Sequence, residues 1–179
     1  MEKIGLFYGS DTGCTEAVVE KIKTHFEDNL LKCHEINGIK STKEFEKYNH
    51  IIIDVPTWYD GDLKSDWDSF FETFKTIDFT GKTVAIFGLG DQVGYGEYFV
   101  DGIGTLGNVV LENGGHLIGA WTTEGYNYDE SSATFEYEDN QYFMGLALDE
   151  DNQKELTDER LTKWLQDITA EFNIEPNYV

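Results

Sequence analysis

Three loop segments carry residue types able to grip a flat, phosphorylated ligand. The first is Gly9-Ser10-Asp11-Thr12-Gly13-Cys14-Thr15, which joins hydroxyls and glycines to the start of a helical pattern. Backbone N–H groups at a helix amino terminus point at an anion, and the helix dipole favours it. No Lys precedes the Thr, so this is not a Walker A loop, nor does it hold the dinucleotide Gly-x-Gly-x-x-Gly spacing. With no cation in the loop, a phosphate there is held by amides and hydroxyls alone, as in a backbone nest. The same residues also read as an ordinary capped helix start. The second segment is Pro56-Thr57-Trp58-Tyr59-Asp60-Gly61-Asp62. A Trp just past a strand end is poorly placed for the core and well placed to cover a planar ring; a rim-packed Trp is the plainer alternative. The third segment is Gly88-Leu89-Gly90-Asp91-Gln92-Val93-Gly94-Tyr95-Gly96. Its glycines let backbone amides approach a ligand, and Tyr95 offers a second aromatic face. A flexible Gly-rich connection accounts for it equally well in isolation.

Alternating strands and helices must position these loops. Lys3 to Tyr8 is an apolar strand, and Thr15 to Asn29 sets Val18, Ile22 and Phe26 on one helix face. Leu31 to Ile36 is a weaker strand. Ser41 to Lys47 reads as a short helix with Ser41 and Glu44 spaced as a capping box. Ile51 to Val55 is a strand stopped by Pro56. Ser65 to Phe74 is a helix with Trp67, Phe70, Phe71 and Phe74 on one side. Thr83 to Phe87 is a strand, and Glu97 to Glu112 a helix despite Gly102, Gly104 and Gly107. His116 to Trp121 begins a last strand, Tyr142 to Leu148 resumes it, and the polar residues 122–141 form an insertion between them. Leu156 to Phe172 is an amphipathic helix with Leu161, Leu165, Ile168 and Phe172 inside.

Continuous apolar strands imply burial on both faces, and β/α alternation implies right-handed crossovers in a doubly wound parallel sheet. Ligands of such sheets bind outside the carboxyl ends of the strands. The three loops follow strands one, three and four, so they are expected to meet at one edge. A phosphate nest, two aromatic faces and an amide wall then describe a site for a phosphorylated planar heterocycle.

Composition narrows the alternatives. The 179 residues make one domain, 40% hydrophobic, with no apolar run near the length of a membrane helix. The amino terminus has no signal-peptide character, so a cytoplasmic protein is expected. Cys14 and Cys33 cannot build a disulfide framework, and the scattered His25, His34, His50 and His116 suggest no metal. The net charge of -22 argues against nucleic acid and anionic membranes as partners. Such a field serves solubility, and it also steers a protein toward basic partner surfaces.

The three loops, in order and spacing, resemble those of the flavodoxins, and the likeness covers nearly the whole chain. Ser10-x-Thr12-Gly13-x-Thr15 resembles the family's phosphate loop. Pro56-Thr57-Trp58 resembles the loop on one flavin face, and Asp91-Gln92-x-Gly94-Tyr95 the loop on the other. The insertion, the run from Gly145 to Gln153 and Leu156-Thr157-Asp158-Glu159-Arg160 resemble long-chain members. The resemblance implies a flavodoxin-like three-layer α/β/α sandwich, with a five-stranded parallel sheet of order 2-1-3-4-5 whose last strand is split by the insertion. It implies tightly but non-covalently bound FMN and a monomeric, low-potential one-electron carrier, shuttling between semiquinone and hydroquinone rather than acting as an enzyme. Partners would be basic-surfaced redox proteins such as a flavodoxin/ferredoxin reductase and acceptor enzymes.

Carried over residue by residue, the resemblance assigns the phosphate to Ser10, Asp11, Thr12, Gly13, Cys14 (through its amide) and Thr15. Thr57 reaches the phosphate or ribityl chain, Trp58 covers the inner ring face and Tyr95 the outer. Asp91 sits by the pyrimidine edge and Asp149 near the ribityl side. Pro56, Tyr59, Asp60, Gly61, Gly88, Leu89, Gly90, Tyr98 and Phe99 complete the expected contacts, with the Tyr59 carbonyl in a peptide that flips with redox state. Asp62, Asp66, Asp68 and Glu72 are expected to guide docking. Two residues depart from the family pattern: Cys14 in the phosphate loop, and Asp54 where a Gly or small apolar residue is usual. A buried carboxylate at Asp54 is costly unless paired or near the strand mouth.

Three other readings are weaker. A response-regulator receiver shares the topology, and Asp54 mimics its phosphoacceptor. It needs an acidic pair after strand one and a Lys after strand five, where Ser10-Asp11 and Trp121-Thr122 stand. A flavodoxin-like quinone reductase would also bind a nicotinamide and substrate, and the acidic surface and the Trp58/Tyr95 sandwich leave little room for hydride transfer; a non-flavin interaction domain is the remaining alternative.

Overall fold

The computed structural model describes residues 3–9, 13–58, 61–63 and 65–173, with Trp58 and Ser65 as backbone only. Ser10, Asp11, Thr12, Tyr59 and Asp60, and the side chain of Trp58, lie outside the described residues. In chain order the elements are β1 (Ile4–Tyr8), α1 (Gly13–His25), β2 (Leu31–Glu35), α2 (Lys43–Glu46), β3 (His50–Asp54), β4 (Thr57–Trp58), β5 (Asp62–Leu63) and α3 (Ser65–Phe74). There follow β6 (Thr83–Leu89), α4 (Asp101–Glu112), β7 (His116–Ile118), β8 (Trp121–Thr122), β9 (Thr134–Tyr137), β10 (Asn140–Phe143), β11 (Leu146–Leu148) and α5 (Thr157–Glu171).

The main sheet runs β2-β1-β3-β6-β11, all parallel, with β7 also paired to β6. β7 lies along Thr83–Ala85 and β11 along Phe87–Leu89 of the same strand. The fifth strand is therefore split by the insertion, as expected, and the order is 2-1-3-4-5. Ile51, Ile52 and Ile53 are all fully buried because helices cover both faces. Ile51 and Ile53 join Phe45 of α2, Trp67 and Phe74 of α3 and Ile103 of α4. Ile52 joins Val18 and Ile22 of α1 and Leu161, Trp164 and Ile168 of α5.

Several boundaries differ from the sequence-based ones. The helix expected from Glu97 begins at Asp101, after a 3-10 turn at Gly96–Tyr98. Val100 takes a left-handed φ of 49°, which no continuous helix allows. The expected strand Tyr142–Leu148 breaks at Gly145, where a Cβ would lie 2.0 Å from the Ile86 carbonyl oxygen. Its first part is β10, which pairs with β9 and β8 in a separate antiparallel sheet. The strand from His116 breaks at Gly119, with φ 77°, over the Trp164 indole that donates to the Gly119 carbonyl at 2.8 Å. The capping box at Ser41 does not form; Thr42 is the N-cap and donates to Glu46 Oε1 at 2.9 Å. No described helix is long and apolar enough to cross a membrane.

Candidate functional site

The loops after β1, β3 and β6 leave the same carboxyl edge, because these three strands are parallel neighbours. In the first loop, Gly13 and Cys14 form the exposed first residues of α1. Thr15 is fully buried, and its Oγ1 has no hydrogen-bond partner among the described residues. A buried hydroxyl without a partner carries a cost of about 1–3 kcal/mol. At a helix amino terminus that orphan donor suits an anion. Among the described residues no group of three or more His, Cys, Asp or Glu could hold a metal ion.

The second loop is a hairpin that the sequence reading did not anticipate. β4 and β5 pair antiparallel, Thr57 with Leu63 and Trp58 with Asp62. Gly61, at φ 86°, supports the turn, and a Cβ there would lie 2.9 Å from Asp101 Oδ2 and 3.3 Å from the Tyr98 ring. Thr57 Oγ1 accepts from the Gly102 amide at 2.8 Å, which pins the hairpin to the start of α4. Pro56 is buried beneath it.

The third loop begins later than expected. Gly88 and Leu89 belong to β6, and a Cβ on Gly88 would meet the Val55 carbonyl oxygen at 2.5 Å. Gly88 thus packs within the sheet, and the connection after β6 starts at Gly90, whose amide donates to Leu148 O. Asp91 Oδ1 accepts from Val93 N at 3.1 Å, Gly94 N at 2.7 Å and Asn152 Nδ2 at 2.8 Å. Partial burial pushes the Asp91 carboxyl upward, but these three hydrogen bonds together outweigh it and hold it below the usual carboxylate range. Tyr95 stands 42% exposed, with its amide bonded to Asp91 O at 3.0 Å.

Asp149, expected near the ribityl side, is held by the protein's own donors. Its carboxylate is fully enclosed, accepting from Gln92 N and Nε2, Asp151 N, and Asn152 N and Nδ2. It ties the third loop to the segment after β11. The Phe99 ring, 1% exposed, packs against Tyr126, Tyr128 and Phe143 beneath the insertion. Tyr98 remains half-buried beside Gly61. Gln92 and Asn152 were missed; Gln92 also accepts from Asn127 N at 2.5 Å through Oε1, linking the loop to the insertion. Only long-range proximity reveals them, since 57 and 61 residues separate the partners.

The family model described as Flavodoxin matches residues 6–164 of this chain. The chain belongs to the flavodoxin family. It is 46% identical over 176 residues to the flavodoxin of Trichodesmium erythraeum, covering 97% of this chain and 100% of that one. It is 45% identical to that of Haemophilus influenzae, covering 96% and 97% of the two chains. Among solved structures, the Fusobacterium nucleatum flavodoxin bound to flavin mononucleotide superposes with a TM-score of 0.86 at 37% identity. That match covers 96% of this chain and 99% of the other.

Proposed function

We propose that this flavodoxin-family protein is a one-electron carrier that binds one FMN non-covalently across the three loops. The observation that carries the reading is the buried, unpartnered Thr15 hydroxyl at the amino terminus of α1, beside two loops braced along the same edge. Those residues fit FMN. The Thr15 hydroxyl and the amides of Gly13 and Cys14 would hold the phosphate, joined by Ser10, Asp11 and Thr12. Trp58 and Tyr95 would cover the two ring faces, and Asp91, Gly90 and the hairpin with Tyr59, Asp60 and Gly61 would line the rim. FMN supplies the one-electron chemistry when bound. The chain's task is to bind it, orient its edge outward and restrict water around the ring.

No side chain of the site is needed as acid, base or nucleophile, which supports a carrier rather than an enzyme. The charge of -22 disfavours adding negative charge to the cofactor, so the second electron should enter at low potential. Partners are then basic-surfaced redox proteins. Asp62, Asp68 and Glu72 stand exposed beside the hairpin, with Asp66 half-buried. The whole chain acts as one monomeric domain in the cytoplasm. The test is a potentiometric titration of the FMN-reconstituted protein. Two separate one-electron waves support the carrier; one concerted two-electron wave would remove it.

A further inference from the structure

The insertion grips the third loop at two points, one on each side of Tyr95. At the first, Gln92 Oε1 accepts from the Asn127 amide at 2.5 Å. At the second, the Gly96 carbonyl accepts from the Asp129 amide at 2.8 Å and the Glu130 amide at 2.9 Å. The gripping stretch is itself anchored. Tyr126 donates from its hydroxyl to Ala147 O of β11 at 2.6 Å, and its ring carries the Arg160 guanidinium at 4.0 Å. Gln153 ties Arg160 to the Gly125 carbonyl.

Gln92 reaches both ways and is 4% exposed. Its Nε2 and its backbone amide donate to Asp149 Oδ2 at 2.8 Å and 3.1 Å, while its Oε1 faces the insertion. Hydrogen bonds to a carboxylate are stronger than those between neutral groups. Asp149 also holds Asn152, whose Nδ2 donates to Asp91. Asp91 in turn holds the Val93 and Gly94 amides. The loop from Asp91 to Gly96 is therefore held from behind by one connected set of hydrogen bonds, with Gln92 at the junction. Connected sets of this kind fix one loop shape better than isolated pairs do.

We propose that Gln92 is a positioning residue through which the insertion sets affinity for the flavin ring, by holding the loop that bears Tyr95 in its ring-covering shape. The inference rests on the FMN reading. A ligand that meets a loop already held in shape avoids the cost of ordering it. Losing that hold should weaken ring binding about tenfold and leave the phosphate contribution alone.

The test measures dissociation constants of FMN and riboflavin by flavin fluorescence. Riboflavin has the ring and lacks the phosphate. Gln92→Ala should weaken both flavins by the same factor, about tenfold. Asn127→Pro removes the amide that Gln92 accepts, and should weaken both as well. The double variant should bind no more weakly than Gln92→Ala alone, because the two changes break one connection. Gln92→Glu keeps the side chain's shape. Its carboxylate would face Asp149, with Asp91 and Asp151 nearby and Tyr126 and Arg160 on the insertion side. Burial and the three like charges raise the pKa of such a group. Once protonated it restores both bonds, donating to Asp149 and accepting from Asn127. Its riboflavin affinity relative to wild type should be about tenfold down near pH ~8 and recover toward pH ~5.5. If Gln92→Ala does not fold, this pH profile decides. Flavin affinities equal to wild type would overturn the proposal even with a lowered Tm, since Gln92 would then only brace the fold. A loss confined to FMN, or a ratio flat with pH, would overturn it too. Additive losses in the double variant would overturn the coupling to the insertion. A wild type that quenches neither flavin removes the FMN reading itself, and the role of Gln92 with it.

Discussion

Replacing Thr15 by Val should raise the stability of the apoprotein and lower its affinity for FMN. Val has nearly the shape of Thr and keeps a methyl in its place. The change removes one atom of consequence, an Oγ1 that is buried and unpartnered. Enclosing an unpaired hydroxyl costs about 1–3 kcal/mol, so its removal should stabilise the apoprotein by about 1 kcal/mol after partial relaxation. For a chain of this size that is a rise in Tm of roughly 2–4 °C. The same hydroxyl, donating to a phosphate oxygen, would make a charge-assisted hydrogen bond of about 1.5–3 kcal/mol. FMN affinity should therefore fall between about tenfold and a hundredfold. Riboflavin affinity should not change. The assay pairs thermal melts of the apoprotein with fluorescence titrations of both flavins. A destabilised apoprotein with unaltered FMN affinity would refute the reasoning, since the hydroxyl would then be satisfied within the protein.

Gly94→Ala should weaken FMN binding several-fold with little change in global stability, because its Cβ would lie 2.4 Å from Asp91 Oδ2 and force the third loop to shift. Comparative titration and melting check both halves. Asp91 has a folded-state pKa below its ordinary value, so the stability it contributes is present above the unfolded pKa and is lost as pH falls through the folded one. Asn152→Ala removes one of its donors and should move that acid loss to higher pH, read from acid titrations of loop fluorescence or FMN release. Asp151 is the opposite case. Burial first, then the charges of Asp91 and Asp149, push its carboxyl upward, so its ionised form is disfavoured in the folded state. Asp151→Asn should therefore gain stability at neutral pH and none at acid pH, as denaturant melts at the two pH values would show. Electron transfer to a basic-surfaced reductase should slow steeply with added salt, and a flat salt profile in stopped-flow traces would exclude steering.

Much of this architecture is legible in the residues alone. The run Ile51-Ile52-Ile53 declared a strand buried on both faces, and Leu161, Leu165 and Ile168 declared the inner stripe of α5. Both signals are local periodicities, and packing confirmed them. The misread boundaries have non-local causes. Gly88 looks like a loop residue yet lies in β6, and Gly145 looks like a strand residue yet breaks the strand; each lets backbone pass close to a neighbouring carbonyl. The β4–β5 hairpin is too short to show a period. In the site, the residues grouped at the three loops were visible as types and spacings. The ties that hold the third loop were not, because Gln92, Asn152 and Asp149 meet only through the parallel pairing of β6 and β11. Asp149, just past the end of β11, is buried directly behind the third loop.

The most direct test is a fluorescence titration of free FMN with the purified apoprotein. Convergence of the three loops on one phosphorylated ring predicts quenching that saturates at one FMN per chain, with weaker binding of riboflavin. FMN fluorescence that stays unquenched, or riboflavin bound as tightly as FMN, would contradict the account.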